Sequence, residues 1–470
     1  MNRNIATVGN DQRTLAIINC ILLFILGGVF SLRCDATEGT GWRADGTGRF
    51  RATNPPMQWS RDEGIVWKTE LPATSLASPV VISDRTFIMA EPNRLLCYRV
   101  SDGTLIWDRA HELDAIFPAE KVNEIKLQHA ESLRVRATIA ELEKQLKSQQ
   151  DSKAPAAEIS SLETQIKELR IRDEQLTVIP QPQIDSTGNT ASTPVSDGEN
   201  IYTVLGNGIV SSHRLDGQRN WIRFSEKPMT RHSASPLIVG NFLIVHLQHL
   251  LALDLRTGQL VWTADTPPRN GTPIATMVDG HEIIVTPAGA IVRANDGRIL
   301  AKDLFNLTYS SVTIHDGILY AAERGEFLAI QMTAGADIET IETKVLWKTR
   351  GAEVDRLASP VVHEHLLFSA TDTGILDVLD TATGKVVKRK RMELGDGRVD
   401  ASLSIAGSFL FVHSTNGASL ILNPTAECSE VARNQAEGLS TTPFFVDNRI
   451  LLRTPTHLIC IGAGKDPAKR

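Results

Sequence analysis

The chain has 470 residues, of which 49 are lysine or arginine and 55 are aspartate or glutamate, so its formal net charge is −6. Basic residues form no run longer than four, and aromatic residues make up only 5% of the chain, which argues against the charged surface and stacking platforms of a nucleic-acid-binding protein. A chain of this length fits one large domain with an appendage better than several small domains.

The amino terminus has the pattern of a targeting segment. Arg3 and Arg13 precede an apolar stretch at residues 15–32, whose length suits a secretory signal and reaches the lower limit for a membrane anchor. We therefore predict that residues 1–36 export the chain, which is then periplasmic or anchored in the membrane facing the periplasm. The polar, glycine-rich residues 37–57 are predicted to form a flexible tether.

One eleven-residue segment recurs along the chain in degraded copies. Its best copy, residues 252–262, combines an Asp-x-x-Thr-Gly turn with a tryptophan after the glycine. The turn residues favour a tight hairpin, and the tryptophan is predicted to pack between neighbouring units. The residues assigned to this structural repeat are Trp107, Trp221, Asp254, Thr257, Gly258, Trp262 and Trp347.

A second pattern gives the period of the repeat. A small hydroxyl residue, usually followed by proline and an apolar residue, opens each unit, and successive openings lie roughly 40 residues apart except for the first interval. The eight openings are Ser78, Thr193, Ser235, Thr272, Ser310, Ser359, Ser402 and Thr442. They predict an all-β, eight-bladed propeller with four-stranded blades over residues 58–117 and 178–464, followed by a short tail at residues 465–470.

The two ends of the propeller are predicted to join. The eighth unit has three apolar strands after its opening, whereas residues 65–69 resemble the last strand of a unit. We expect residues 65–69 to supply the outer strand of the eighth blade, which closes the ring.

The long first interval contains an insertion at residues 118–177. Apolar residues recur at helical spacing on two arms of the insertion, and residues 151–155 break the pattern between them. The insertion is therefore predicted to be an antiparallel coiled-coil hairpin. A propeller does not need such a rod for stability, which leaves partner recognition, self-association and a passive insertion open. The apolar positions are Ile139, Leu142, Leu146, Ile159, Leu162, Ile166 and Leu169.

The repeat pattern Ala-x-Asp-x-x-Thr-Gly-x-x-x-Trp resembles that of the PQQ-like β-propeller repeat family, which includes pyrroloquinoline-quinone (PQQ) dehydrogenases and cofactor-free BamB-like proteins. Residues 42–60 also resemble the start of exported PQQ-like proteins of planctomycete type. The resemblance covers about residues 42–117 and 178–464. It implies the propeller fold rather than any one activity.

The sequence does not favour catalysis. The resemblance implies that a PQQ dehydrogenase would hold PQQ and Ca²⁺ with a Glu, an Asn and an Asp beside adjacent cysteines, but no two of the five cysteines here are adjacent. The chain also lacks a Gly-x-Ser-x-Gly elbow and a helical zinc motif. We predict no cofactor, no metal and no catalytic residue, and interpret the chain as an exported non-enzymatic scaffold for protein–protein interaction at the cell envelope. A PQQ- and Ca²⁺-dependent dehydrogenase, or a small-ligand binder that uses the central channel, is the alternative.

A protein partner is expected at the hairpin or at the mouth of the propeller. The segments that enter the inner strands carry polar and charged residues, which form either a solvated rim or a site for carboxylates, peptide ends or glycans. The candidate mouth residues are Arg231, His232, Arg269, Asn270, Tyr309, Asp355, Arg356 and Asp400.

Overall fold

The computed structural model describes residues 40–50, 53–177, 179, 187–229, 231–335, 338–439 and 441–462. The predicted export segment at residues 1–36, with its apolar stretch, and the predicted tail at residues 465–470 lie outside the described residues. In the described part of the chain, no helix is long and apolar enough to cross a membrane.

The described strands form eight sheets, which are the blades of an eight-bladed propeller, as predicted. Each blade is an antiparallel meander that begins at the central channel and ends at the rim. The middle strands are buried on both faces because every sheet packs between its two neighbours, as the run from Thr86 to Ala90 illustrates. The hydrophobic core is therefore a series of layers between blades.

Two strands precede the first blade: β1 (Arg49–Phe50) and β2 (Ile65–Glu70). From the inner to the outer strand, blade 1 contains β3 (Val80–Ile82), β4 (Arg85–Ala90), β5 (Arg94–Arg99) and β6 (Leu105–Ala110). Blade 2 contains β7 (Val195–Ser196), β8 (Asn200–Val204), β9 (Ile209–Arg214) and β10 (Arg219–Phe224). Blade 3 contains β11 (Leu237–Val239), β12 (Phe242–His246), β13 (Leu250–Asp254) and β14 (Leu260–Ala264). Blade 4 contains β15 (Ile274–Val278), β16 (His281–Val285), β17 (Ile291–Arg293) and β18 (Ile299–Ala301).

The second half of the ring repeats this order. Blade 5 contains β19 (Thr313–His315), β20 (Ile318–Glu323), β21 (Glu326–Ala334) and β22 (Ile341–Arg350). Blade 6 contains β23 (Val361–His363), β24 (Leu366–Ala370), β25 (Ile375–Asp380) and β26 (Val386–Arg391). Blade 7 contains β27 (Ser404–Ala406), β28 (Phe409–His413), β29 (Ala418–Leu422) and β30 (Glu430–Gln435). Blade 8 contains β31 (Phe444–Val446), β32 (Arg449–Arg453) and β33 (His457–Gly462), and its fourth strand is β2.

The prediction for ring closure is confirmed. Strand β2 pairs antiparallel with β33, from Ile65 opposite Ile461 to Glu70 opposite His457. A strand from before the first blade thus forms the outer edge of the last blade, and the two ends of the propeller are joined by strand pairing and by apolar packing of Ile65, Val66 and Trp67.

Five tryptophans join neighbouring blades in the same way. Each donates its indole N–H to a backbone carbonyl of the next blade, and its ring covers the glycine in the turn of that blade. The donor–acceptor distances are 2.8 Å for Trp67–Val100, 3.0 Å for Trp107–Leu215, 2.9 Å for Trp221–Leu255, 3.0 Å for Trp262–Ala294 and 2.8 Å for Trp347–Thr381. A Cβ atom on the covered glycine would lie 2.4–2.9 Å from the ring at Gly103, Gly217, Gly258, Gly297 and Gly384.

This contact explains why some copies of the repeat lose their tryptophan. The places equivalent to Trp262 hold Ala301 in blade 4 and Lys388 in blade 6. The blades that follow these two, blades 5 and 7, lack the glycine turn between the third and the outer strand. A longer hairpin follows β21 in blade 5, and residues 423–429 follow β29 in blade 7. The tryptophan and the glycine turn that it covers are lost together.

Replacing Gly258 with alanine is expected to destabilise the propeller by about 2–4 kcal/mol. Its φ is +65°, and a Cβ atom would lie 2.6 Å from the Trp221 ring, so overpacking adds to backbone strain. Gly280→Ala is the matched control, because Gly280 also has a positive φ (+85°) but no atom lies within 4 Å of its Cβ position. The control should cost only about 1 kcal/mol in denaturant titration. Equal losses of stability in the two variants would show that the contact with Trp221 does not cause the destabilisation.

Residues 40–50 lie in the central channel, and we call this segment the plug. Thr40 bridges to Ser196 of blade 2, and β1 runs parallel to the inner strand of blade 7, with Arg49 opposite Ile405. Phe50 packs against the rings of two phenylalanines of blade 8 at centroid distances of 5.0 and 5.2 Å.

The prediction of a flexible tether at residues 37–57 is therefore wrong for the plug. Its glycines supply a turn rather than flexibility, since Gly46 and Gly48 have φ values of +88° and +76°. Gly48 also lies directly against the guanidinium of Arg43, where a Cβ atom would be 2.2 Å from Nη2.

The insertion between blades 1 and 2 is a helical hairpin, as predicted. A short 3₁₀ turn (Leu113–Ala115) leads into α1 (Ala119–Asp151), and α2 (Ala156–Leu176) returns towards blade 2. An outer strand ends at the same face of the propeller at which the next inner strand begins. The hairpin therefore leaves the propeller on the face that carries the openings of the repeats.

Candidate functional site

The eight openings form a closed ring of hydrogen bonds around the channel, which we call the hydroxyl ring. The backbone N–H of each opening donates to the hydroxyl oxygen of the next at 2.8–3.1 Å, and the last donates to the first. The members are Ser78, Thr193, Ser235, Thr272, Ser311, Ser359, Ser402 and Thr442. The fifth member is Ser311 rather than the predicted Ser310, whose hydroxyl donates to the carbonyl of Ala322 at 3.1 Å.

The hydroxyl ring borders a cavity of about 130 Å³ at the mouth of the channel. Three of the predicted mouth residues, Asn270, Tyr309 and Asp400, line this cavity together with Trp42 of the plug. Burial raises the pKa of Asp400, and this is opposed by Arg398, whose guanidinium lies 3.3 Å away. In each chain segment that leads into an inner strand, the mouth residue comes before the member of the hydroxyl ring. The plug instead contacts residues that come after the ring members, such as Pro360 and Leu403. The plug therefore closes the side of the cavity that is opposite the mouth.

Five predicted mouth residues do not line this cavity. Arg269 lies at the rim, where its Nε donates to Asn306 at 2.7 Å, and Asp355 is likewise half-buried there. His232 is buried and donates to the carbonyl of His246 at 3.0 Å, and burial lowers its pKa to about 4. Its assignment to the mouth is wrong, because the side chain points between blades 2 and 3. Arg231, its neighbour, is exposed towards the hairpin.

Arg356 is also wrongly assigned to the mouth. Its side chain and that of Asp377 are both fully buried and form an ion pair, and Asp377 accepts a second hydrogen bond from Arg389. The guanidinium lies 4.5 Å from the centroid of the Phe327 ring. Burial lowers the pKa of Arg356, which the carboxylate of Asp377 opposes. This residue anchors neighbouring blades to each other and is out of reach of a ligand at the mouth.

The two helices of the hairpin have an apolar core of their own. Val135, Ile139 and Ile166 are buried between them, and the partly buried side chains around these are Leu142, Leu146, Leu169 and Leu176. A polar contact interrupts this core, where the carboxylate of Asp173 accepts from Ser132 at 2.5 Å and from Arg136 at 2.9 Å. Such a partly buried polar contact fixes the register of the two helices.

The root of the hairpin is attached to blade 2. Helix α1 extends beyond the end of α2 towards the propeller, where Val122 and Ile125 are buried. Phe117 packs against Phe224 of β10 at a centroid distance of 6.3 Å, and the His129 ring lies 2.6 Å from the carbonyl of Ile179. Further out, the two helices pack on each other rather than on a blade.

A groove of about 560 Å³ lies between the hairpin and blades 2 and 3. Its lining carries four cationic side chains and two carboxylates, although the whole chain has a net charge of −6. The charged lining residues are Arg136, Arg170, Asp173, Glu174, Lys227 and Arg231. The sequence alone does not reveal this groove, because its residues come from the hairpin and two blade connections that are adjacent only in the fold.

The described residues do not provide a redox or metal centre. They contain no group of three or more His, Cys, Asp or Glu arranged to hold a metal ion. Burial raises the pKa of the free thiols of Cys97, Cys428 and Cys460 to about 12, 11 and 11, so these thiols are poor nucleophiles. The mouth cavity is smaller than the roughly 300–1,000 Å³ of typical cofactor sites, and Asp400 is the one carboxylate in its described lining. These residues do not fit PQQ with Ca²⁺.

Several known proteins are similar to this chain. A family model described as outer membrane protein assembly factor BamB matches residues 183–340. The outer membrane protein assembly factor BamB of Legionella pneumophila (strain Paris) is 25% identical over 199 residues, which are 39% of this chain and 49% of the relative. The match thus spans about half the length of that relative.

Two solved structures share the fold. BamB from Moraxella catarrhalis superposes with a TM-score of 0.52 at 14% identity, covering 86% of this chain and 98% of that one. The computationally designed Ika8 protein superposes with a TM-score of 0.51 at 11% identity, covering 83% and 98%. At these identities the likeness concerns the propeller architecture.

Proposed function

Because this chain is a PQQ-like β-propeller repeat protein, we propose that it is an exported, non-enzymatic scaffold that binds a protein partner at the cell envelope. A similar protein bears the name outer membrane protein assembly factor, which supports an envelope location and a role in assembly. The apolar stretch at residues 15–32 supports export as a cleaved signal or as a membrane anchor.

The observation that carries the proposal is the helical hairpin. Its outer part has its own core around Ile139 and Ile166 and adds nothing to the closure of the ring, which depends on β2, the tryptophan contacts and the hydroxyl ring. Ordering the outer hairpin has a cost in conformational entropy, and the outer hairpin does not stabilise the propeller. Contact with another molecule is the best explanation for it. It rises from the same face as the channel mouth, so one partner can touch both.

The groove at the root of the hairpin indicates the chemistry of the partner. Lys227 and Arg231 face the groove from the propeller, and Arg136 and Arg170 face it from the hairpin. Arg136 and Arg170 are already paired with Asp173 and Glu143. The positive charge of Lys227 and Arg231 favours an acidic, extended segment, whose carboxylates arginine binds in a fork. The partner segment proposed here is acidic and lies between the hairpin and blades 2 and 3.

Removing the outer hairpin tests this function. Residues 137–169 would be replaced by a four-residue Gly/Ser turn, which keeps the Arg136–Asp173 contact and the root. We expect an unchanged melting temperature of the propeller and a loss of partner capture from the envelope fraction of the source cell, measured by crosslinking and mass spectrometry. Unchanged capture by the shortened chain would remove the hairpin from the function.

Charge reversal in the groove separates the two parts of the proposal. Arg231→Glu should weaken capture at least tenfold and make the remaining binding less sensitive to salt. Arg256→Glu is the matched control, because Arg256 is exposed in the turn at the opposite face of the propeller. If both charge reversals weaken capture equally, the effect comes from net charge and the groove is not the docking site.

A further inference from the structure

The hydroxyl ring has donors without acceptors. Each ring hydroxyl oxygen accepts one backbone N–H, and a serine or threonine hydroxyl also has one O–H to donate. Within the described residues, no ring hydroxyl donates to a protein group. All eight side chains are at most 6% exposed and all eight border the mouth cavity. Buried donors are almost always satisfied, so the cavity has to supply acceptor atoms.

Buried positive charge lies behind this ring, on Arg43, which is not part of the cavity lining. Arg43 of the plug is 1% exposed, and its Nη2 donates to the carbonyls of Pro360 and Leu403 at 2.8 and 2.9 Å. These two residues directly follow the ring members Ser359 and Ser402. In the described part of the chain, Nε and Nη1 of Arg43 have no hydrogen-bond partner. Burial lowers the pKa of Arg43 to about 9, against the field of Asp45, which leaves it charged at neutral pH.

A second buried arginine approaches the ring from blade 8. Arg453 is 1% exposed and its Nη1 lies 3.4 Å from the carbonyl of Ala77, the residue before the ring member Ser78. Carboxylates oppose these charges: Glu91 acts on Arg453, and Asp372 lies in the neighbourhood of Asp400 at the mouth. Arg398 lies beside Asp400 at 3.3 Å.

We propose that the mouth cavity is a binding site for a small oxyanion, held by the O–H groups of the hydroxyl ring and attracted by the buried charge of Arg43. A carboxylate, sulfate or phosphate group offers several acceptor oxygens in a volume that about 130 Å³ accommodates, and its charge compensates that of Arg43. Hydrogen bonds from neutral donors to an ion are among the stronger ones in proteins. This site is independent of the hairpin and of the groove.

The direct test is crystallographic. Crystals of the full chain would be grown with selenate in place of sulfate, and anomalous differences would be recorded at the selenium edge. An anomalous peak on the channel axis, within hydrogen-bond distance of ring hydroxyls, is the expected result. Water density alone in the cavity, or selenate peaks confined to the outer surface, would overturn the proposal.

Isosteric variants give the same test in solution. Thr272→Val removes one ring hydroxyl at constant shape and should weaken sulfate binding in calorimetric titration at least fivefold. Thr86→Val is the matched control, since Thr86 is also fully buried, its hydroxyl has no partner in the described residues, and it does not line the cavity. If sulfate binds Thr272→Val as tightly as the parent chain, the ring is not the site. Should that variant fail to fold, Arg43→Gln takes its place with the same expectation.

Two sources of the oxyanion are distinguished by the choice of probe. Sulfate and acetate represent free ions, and a short peptide with a free carboxyl end represents the terminus of a partner chain. The same peptide with an amidated end is its control. If the peptide binds at least tenfold more tightly than acetate, and its amidated form does not, the natural ligand is the carboxyl terminus of a protein. If the peptide and acetate bind with equal affinity, the natural ligand is a free ion. Failure of all three acidic probes would overturn the site without affecting the hairpin.

Discussion

Acidification from pH 7 to pH 5 is expected to unfold the propeller before its carboxylates titrate. Five histidines are buried between blades, and burial is the main cause that lowers the pKa of each. The values are about 4 for His111, about 3 for His213, about 4 for His232, about 4 for His246 and about 3 for His413. In the unfolded chain the same side chains have a pKa of about 6.5.

The direction and size of the effect follow from these values. A group whose pKa is lower in the folded state takes up a proton more readily when the chain is unfolded, so stability is complete above pH 6.5 and falls as the pH drops towards 3–4. Each histidine costs about 1.4 kcal/mol per pH unit below 6.5, which is about 2 kcal/mol at pH 5. Five such groups together cost about 10 kcal/mol, comparable with the whole free energy of unfolding of about 5–15 kcal/mol. Burial raises the pKa of Asp400, so this one carboxyl group stabilises the folded state as the pH falls and offsets a small part of the loss.

The measurement is the free energy of unfolding in urea at several pH values between 7 and 5. The variant His413→Gln should reduce the slope of stability against pH by about 1.4 kcal/mol per pH unit. His413 is fully buried beside Phe411, and its one hydrogen bond to a described residue joins Nδ1 to the Ser419 hydroxyl at 2.8 Å. An unchanged slope in this variant would show that His413 already becomes protonated in the folded state.

The fold could be predicted because its determinants are local and repeated. The openings, the Gly turns and the apolar strands recur in eight copies, so errors in one unit are corrected by the others. Even the non-local closure by β2 was predictable, since residues 65–69 have the same pattern as the outer strand β22. The helical hairpin was predictable for the same reason, because its apolar spacing differs from that of the strands around it.

The parts that could not be predicted depend on contacts without a local pattern. Arg356 was expected at the mouth because charged residues are usually solvated, but its partner Asp377 lies in another strand of the blade and draws it inside. The plug was expected to be flexible because glycine-rich segments usually are, and the carbonyls that hold Arg43 lie 317 and 360 residues away. The ring of hydroxyls was visible in the sequence as a period, whereas its closed circle of hydrogen bonds exists only once eight blades meet.

Loss of β2 is expected to prevent folding to a monomer. A chain that begins at residue 72 lacks the outer strand of blade 8, including the hydrogen bond from Trp67 to Val100 and that from Thr69 to Gly103 at 2.9 Å. Trp67 is half-buried, so its truncation alone costs at most about 3–5 kcal/mol, and losing the whole strand with its hydrogen bonds reaches the total stability of many domains. Strand β33 would also become an unprotected edge, which favours association between chains. Size-exclusion chromatography and circular dichroism should show aggregates or an expanded chain.

A chain that begins at residue 57 is the control that isolates this effect, because it keeps β2 and loses only the segment that contains the plug. It should remain a folded monomer, destabilised by about 3–5 kcal/mol through the loss of Phe50 and its neighbours from the core of blades 7 and 8. Adding a peptide of residues 62–71 to the shorter chain should restore the propeller, and the same peptide with Trp67→Ala should do so at least tenfold less well. If the chain that begins at residue 72 folds alone, the ring is held by its blade interfaces and not by the strand that completes it.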